Sequence, residues 1–443
     1  MRVLSVRRGH APNCSSAGSV VGVALASSTA FAAVLGLWAH RFATWRQPPG
    51  GGPPAPMRQR AEGFGALLAL PGLLPGTPGA ILALDAPVPE VPLVGATVDV
   101  PGALRAPLEA HVSLTSHCPV RCTGCYVGAG PDGVAADAAG LRRTLDELAA
   151  MGTFEVAFGG GESALGDDVL ELARYARGLG LVPNLTTSGL GVTAERARAA
   201  AGLFGQLNVS IDGVGPVYAA VRGWDGEAVA RRALGHLRDA GARTGANTLV
   251  SRALFADPAA LDALGDALVA DGAAEWQWLR VKPAGRARTA PGLPDAGLAA
   301  TPAQLLTVWP ALLRQEARTG LTMRVDCAMV PFLAAHAVPV ERMVALGVSG
   351  CVGGHALWAR DARGGMAPCS FAAATPAAGG LAARWADDPE LAAWRAHAAA
   401  PPEPCVSCAW QGVCRGGCRI VAEAVTGDRF APDPECPRVR EGA

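Results

Sequence analysis

The sequence predicts an α/β fold, a partial (β/α)6 barrel of parallel strands followed by a cysteine-rich C-terminal domain. Three observations predict it. From about residue 109 to 281, short alternating or apolar segments are interleaved with longer ones that carry the 3.6-residue apolar period of a helix. Polar and glycine-rich motifs fall at the C-terminal ends of successive strands, positions that all converge on the mouth of a parallel barrel. That placement favours a barrel over an open doubly wound sheet. Finally, the cysteines are not scattered: three lie between residues 118 and 125, and seven more between 351 and 436.

In chain order, Ala110–Thr115 is predicted as the first barrel strand, delivering the first cysteine loop. A helix over Ala135–Met151 follows, with apolar positions at Leu141, Leu145 and Leu148. Phe154–Phe158 is the second strand and runs into Gly159-Gly160-Gly161-Glu162; Asp167–Leu179 is the next helix. The unit then repeats: strand Val182–Thr187, helix Ala194–Phe204, strand Leu207–Ile211, helix Glu227–Ala240, strand Thr244–Val250, helix Pro258–Val269 and strand Trp276–Val281. Four regions result: an apolar, low-complexity extension over 1–56, a lead-in of one or two hairpins over 57–108, the barrel over 109–320, and the cysteine-rich domain over 321–443.

Bulk composition excludes several function classes. The 443 residues are long enough for two or three domains, and the formal net charge of zero leaves no basic surplus to attract nucleic acid. Twelve cysteines in so large a chain, at short clustered spacings, read as metal or cluster ligands in a reducing compartment and not as a disulfide framework. The segment from Pro12 to Ala39 carries no charged residue and follows Arg7-Arg8. Three readings apply to it, in order of preference. Translation starts at Met57, after the Pro/Gly-rich linker of residues 47–56; the segment tethers the protein to a membrane from the cytoplasmic side; or it directs export. The expected location is the cytoplasm.

Cys118, Cys122 and Cys125 have the spacing C-x3-C-x2-C, with Tyr126 directly after the third. Three thiolates in one short loop suit an iron–sulfur cluster with one iron left open, a zinc knuckle, or a disulfide pair. The spacing resembles the signature of the radical S-adenosylmethionine (radical SAM) enzymes, whose barrel is a partial TIM-like one. The resemblance implies a 4Fe-4S cluster on these three cysteines, with the amino and carboxylate groups of SAM on the open iron. It also implies reductive cleavage of SAM and hydrogen abstraction by a 5′-deoxyadenosyl radical.

The later motifs extend the resemblance. Gly160-Gly161-Glu162 is similar to the family's Gly-Gly-Glu-Pro, with Ser163 in place of proline, and implies a seat for the SAM ammonium. Ser188, in Thr186-Thr187-Ser188-Gly189, stands where the family places a residue facing the ribose or adenine. Val209-Ser210-Ile211-Asp212-Gly213 resembles Val-Ser-Leu-Asp-Gly, implying that Ser210 and Arg222 hold the SAM carboxylate. Asn247 matches a further polar position that contacts SAM in relatives, and Leu279–Gly285 a segment whose backbone meets adenine.

In the C-terminal domain, Cys351 and Cys369 flank Gly364, and Cys405, Cys408, Cys414, Cys418 and Cys436 follow. This is similar to the seven-cysteine SPASM extension, which implies two auxiliary iron–sulfur clusters. Cys351, Cys369 and Cys418 would serve the first, and Cys405, Cys408, Cys414 and Cys436 the second. Cys327 stands further upstream than relatives place a fourth ligand for the first cluster.

The resemblance implies a radical SAM oxidoreductase that modifies a ribosomally made peptide or protein. Expected partners are that peptide, a low-potential electron donor of the flavodoxin or ferredoxin type, and a separate leader-peptide recognition protein. Three alternatives stand beside it. One is a tetrapyrrole-modifying enzyme, since Gly416 to Arg419 and Thr426 to Asp428 look alike in that class. Another is a sulfatase-maturing enzyme, against which Ser370 counts, because an aspartate follows the corresponding cysteine there. The third is an iron–sulfur electron-transfer protein with no SAM pocket.

Overall fold

The computed structural model describes residues 3–6, 58–62, 65–70, 80–84, 93–95, 100, 103–163, 167–288, 297–348, 350–376 and 379–440. Its main feature is a nine-stranded sheet with the order β11-β10-β9-β8-β7-β6-β5-β12-β13. These strands are β5 (Glu109–Thr115), β6 (Glu155–Gly160), β7 (Val182–Thr187), β8 (Gln206–Ser210), β9 (Thr244–Val250), β10 (Glu275–Arg280), β11 (Thr322–Val325), β12 (Leu357–Arg360) and β13 (Met366–Ala367). Every neighbouring pair from β11 through β12 is parallel, and β13 alone runs against its partner. A smaller sheet, ordered β1-β4-β3-β2, comprises β1 (Val3–Val6), β2 (Arg58–Glu62), β3 (Gly65–Leu70) and β4 (Ala80–Leu84).

The six predicted strands are all present, displaced by at most two residues at either end. The expected helix Ala135–Met151 begins at Ala138, because the Asp137 side chain caps it by accepting from Ala139 and Gly140 backbone N–H groups. The expected helix Ala194–Phe204 ends at Ala201. Two parallel strands were not expected. β11 extends the sheet beyond β10, and β12 pairs with the outer edge of β5, so the boundary expected at residue 320 falls inside one continuous sheet.

Alternation on each strand separates two environments. On β5, Ala110, Val112 and Leu114 are buried against Leu141, Leu145 and Leu148 of the first helix. Each of those leucines contributes about 2 kcal/mol on burial. The opposite positions Glu109, His111, Ser113 and Thr115 are half-buried, and the same strand face continues through polar residues of β6 to β10. Those residues bond to one another: Asn184 donates to Glu155 at 3.0 Å, and Gln206 donates to Glu275 at 2.8 Å. Burial opposes the Glu275 carboxylate, but Arg324 and Arg243 outweigh it and hold its pKa below the usual range.

The small sheet is fastened to the barrel by a buried arginine. Arg60 donates to Glu62 at 2.7 Å and to the carbonyls of Ala106 (2.9 Å), Pro107 (3.2 Å) and Gly152 (2.9 Å). The apolar segment near residues 17–39, with its readings as untranslated lead, tether or export signal, lies outside the described residues. Among the described residues no helix is long and apolar enough to cross a membrane.

Candidate active site

The first cysteine loop leaves β5 at its C-terminal end and is held from three sides. The Arg286 side chain donates to the carbonyls of Cys122 (2.9 Å) and Ala129 (2.7 Å), and its backbone N–H donates to Cys125 (2.9 Å). Thr123 N–H donates to the Arg222 carbonyl at 3.2 Å. On the third side, Gly161 and Glu162 N–H groups donate to the carbonyls of Thr115 (2.6 Å) and His117 (3.1 Å). A Cβ on Gly161 would stand 1.9 Å from the His117 carbonyl oxygen, so only glycine permits this contact. The Gly160-Gly161 pair, expected to let backbone approach a ligand, here lets backbone approach the cysteine loop.

The structure brings Glu162 and Ser188 together. Glu162 accepts from Thr187 Oγ1 at 2.7 Å, from Ser188 N–H at 2.9 Å, and from the Ser188 hydroxyl. Ser163 donates to the Gly159 carbonyl at 2.7 Å, so the hydroxyl closes the loop that proline closes in the family motif. Ser210, the last residue of β8, is paired in register with Asn247 in the middle of β9. The Asn247 Oδ1 is buried and accepts no hydrogen bond.

Arg222 lies beside the first cysteine loop. Its Nε lies 2.5 Å from the buried Asp212 carboxylate, and its Nη1 donates to Cys122 Sγ at 3.8 Å. Burial alone would lower the guanidinium pKa, but Asp212 and Cys122 outweigh it and raise it above the ordinary value. The guanidinium thus faces both the cysteine loop and Asp212, which in turn accepts from Leu249 N–H at 2.6 Å.

Eleven cysteines are described and all are free thiols. Cys118, Cys122 and Cys125 influence one another electrostatically: burial pushes the Cys118 thiol up, and Glu162, Cys122 and Cys125 add to the shift. Cys405, Cys408, Cys414 and Cys436 form a second mutually interacting set, with burial raising Cys405 to about 11. Cys351, Cys369 and Cys418 form a third, with burial, then Cys351, raising Cys369 to about 12. Among the described residues no three His, Cys, Asp or Glu side chains gather tightly enough to hold a single metal ion. Thiolates that each take a separate iron of a cluster stand further apart than ligands sharing one ion.

Sequence reasoning missed the residues that join these sets. Arg280, leaving β10, makes a bidentate pair with the buried Asp433 (2.7 and 3.0 Å) and donates to Glu435 at 2.7 Å. Asp433 Oδ2 also accepts from Cys418 N–H at 3.0 Å. Lys282 is buried, ion-paired with Asp326, and its ammonium lies 4.4 Å from the Phe371 ring. Phe371 stacks on Tyr126 with ring centroids 4.4 Å apart, so Tyr126 bridges the first cysteine loop and the C-terminal cysteines. Burial, then Cys125, raises the Tyr126 phenol to about 12. His111 Nδ1 shares a 2.6 Å hydrogen bond with Ser370, placing the residue after Cys369 against the inner strand face. Tyr126, Ser370 and the segment Leu279–Gly285 stand out in the sequence, but the partners they meet lie far off along the chain.

Residues 112–252 match the model of the radical SAM superfamily. A PqqA peptide cyclase of Xanthomonas axonopodis pv. citri (strain 306) is 30% identical over 354 residues, covering 75% of this chain and 88% of that protein. The chain belongs to the radical SAM superfamily. It is an enzyme, and membership implies a 4Fe-4S cluster and SAM. Its fold is shared with two radical SAM structures. SuiB of Streptococcus suis, bound to its precursor peptide SuiA, has a TM-score of 0.62 at 16% identity, covering 76% of this chain and 77% of that one. The anSMEcpe structure with AdoMet and the Cp18Cys peptide has a TM-score of 0.57 at 16% identity, covering 76% of this chain and 95% of that one.

Proposed function

We propose that this chain is a radical SAM peptide maturase. It takes a hydrogen atom from a residue of a ribosomally made peptide, and auxiliary iron–sulfur clusters in its C-terminal region serve the later step. The observation that carries the reading is the similarity to a PqqA peptide cyclase across 88% of that protein's length. The fold shared with SuiB, whose structure holds its precursor peptide, is in keeping with it.

In this reading Cys118, Cys122 and Cys125 hold the SAM-binding cluster, which with SAM bound supplies the 5′-deoxyadenosyl radical. Glu162 and Ser188, already tied together, take the ammonium and ribose side. Ser210 and the unpaired Asn247 carbonyl take polar groups of SAM across the mouth. Arg222 stabilises thiolate charge at Cys122, and Tyr126 packs between the cysteine sets. Cys405, Cys408, Cys414 and Cys436 hold one auxiliary cluster, and Cys351, Cys369 and Cys418 the other. The polar inner strand face gives a peptide backbone hydrogen-bonding partners. A flavodoxin- or ferredoxin-type donor supplies the electron, and a separate protein presents the leader in the cytoplasm.

The test uses anaerobically reconstituted enzyme, SAM and a reductant with precursor peptides encoded beside the gene, uniformly deuterated. Deuterium is expected in the 5′-deoxyadenosine. Transfer from a deuterated porphyrin and from no peptide would overturn the peptide reading.

A further inference from the structure

Cys327 belongs to none of the cysteine sets assigned above, and it lies just after β11. It opens the short turn Cys327–Met329, whose preceding residue Asp326 accepts from Ala328 N–H at 3.1 Å. One guanidinium fixes this turn relative to the C-terminal cysteines. Arg280 Nη1 donates both to the Ala328 carbonyl (3.1 Å) and to Asp433 Oδ2 (2.7 Å), and that same oxygen accepts from Cys418 N–H (3.0 Å). Cys327 and Cys418 are therefore each within one residue of a single buried clamp. Ala328 packs in the small apolar cluster that also contains Cys418 and touches Cys351 and Cys369. Lys282, ion-paired to Asp326, lies in electrostatic range of both Cys327 and Cys418, and Cys327 in range of Cys351 and Cys418.

A buried cysteine is most often a small apolar filler. Cys327 packs in part against the large apolar core, but an ion pair adjoins it and two thiols, Cys351 and Cys418, share its surroundings, which an apolar filler does not call for. We propose that Cys327, carried on the turn that leaves β11, is the fourth protein ligand of the cluster held by Cys351, Cys369 and Cys418. The inference rests on the auxiliary-cluster reading above and adds to it. The eleven described cysteines then divide into two closed sets of four and one open set of three. Only the Cys118, Cys122 and Cys125 cluster keeps an iron free for a ligand. The auxiliary cluster nearest Tyr126 has no open iron for a substrate atom, which leaves it electron transfer as its chemistry. The ligand also staples this cluster to the barrel sheet itself.

The test uses the full chain carrying Cys118→Ala, Cys122→Ala and Cys125→Ala, so that only C-terminal clusters contribute. Iron, sulfide and the EPR spectrum of the reduced protein are measured with and without 2-mercaptoethanol. In this parent, added thiol is expected to leave the spectrum unchanged. Introducing Cys327→Ala is expected either to remove about four irons or to leave a cluster whose spectrum shifts on adding thiol. Cys327→Ser, which keeps the volume, is expected to retain iron with an altered spectrum. The inference is overturned if Cys327→Ala and Cys327→Ser match the parent in iron and spectrum while Cys351→Ala loses a cluster. A thiol-induced shift in the parent overturns it as well. If Cys351→Ala also loses nothing, the auxiliary-cluster reading fails and the inference falls with it.

Discussion

At the scale of single residues, the site is built from atoms satisfied by the fold and atoms left over. Asn247 Oδ1 is buried without a donor, which costs the folded state free energy, and in the proposed reading SAM returns it. Asn247→Ala is therefore expected to leave the melting temperature unchanged or slightly higher. SAM binding should weaken by about tenfold, the worth of one hydrogen bond of about 1.4 kcal/mol. Calorimetric titration with SAM on reconstituted enzyme, beside a thermal melt, checks both. Equal weakening of fold and binding would mean that Asn247 is structural. The Arg280–Asp433 pair behaves oppositely, since both groups are spent within the fold. Asp433→Ala leaves the buried Arg280 guanidinium with Glu435 as its remaining counter-charge and the Cys418 N–H without its partner, and is expected to cost roughly 3 kcal/mol, the low end for breaking a buried pair. Denaturant titration gives the loss, and iron analysis should show the C-terminal clusters depleted ahead of the first.

At the scale of elements, the glycine run after β6 is a packing joint between a strand end and the cysteine loop. Gly161→Ala places a methyl group into the His117 carbonyl, and the loop must move. Reconstituted variant is expected to lose more than half of the SAM-binding cluster's iron while keeping the C-terminal clusters, as EPR with and without SAM can resolve. Strands such as Val182–Thr187 and Thr244–Val250 were legible because their alternation is bounded by glycine, proline or serine. The short cysteine spacings were legible because ligand geometry acts locally. β11 and β12 were not. Thr322–Val325 and Leu357–Arg360 are four residues each, and each carries an arginine that argues against a buried strand. Arg324 becomes tolerable only beside Glu275, which folding brings to it from the neighbouring strand. The Arg280 clamp was hidden for the same reason, with its partners more than 150 residues away in sequence.

At the scale of the whole molecule, the two parts differ in what holds them. The barrel has one large apolar core running from Val100 to Leu391. The C-terminal region contributes Trp358, Leu381, Trp385 and Leu391 to that core, and its cysteines also border a second, small core of Ala284, Ala328, Trp394, Cys418, Ile420 and Val421. Loops around Cys405 to Cys414 carry few buried residues, and in the proposed reading clusters supply much of the order there. Removing the clusters should then loosen the molecule unevenly. Apoprotein, prepared under reducing conditions to prevent disulfides, is expected to lose hydrogen-exchange protection across residues 361–376 and 400–440. Protection should persist in β5 through β10, whose core owes nothing to iron. Because β11 and β12 are sheet neighbours of β10 and β5, they are expected to stay protected with the barrel even though they lie beyond residue 320. Uniform loss of protection would show a single cooperative unit dependent on the clusters throughout. No loss at all would show that the cysteine loops are ordered by packing alone.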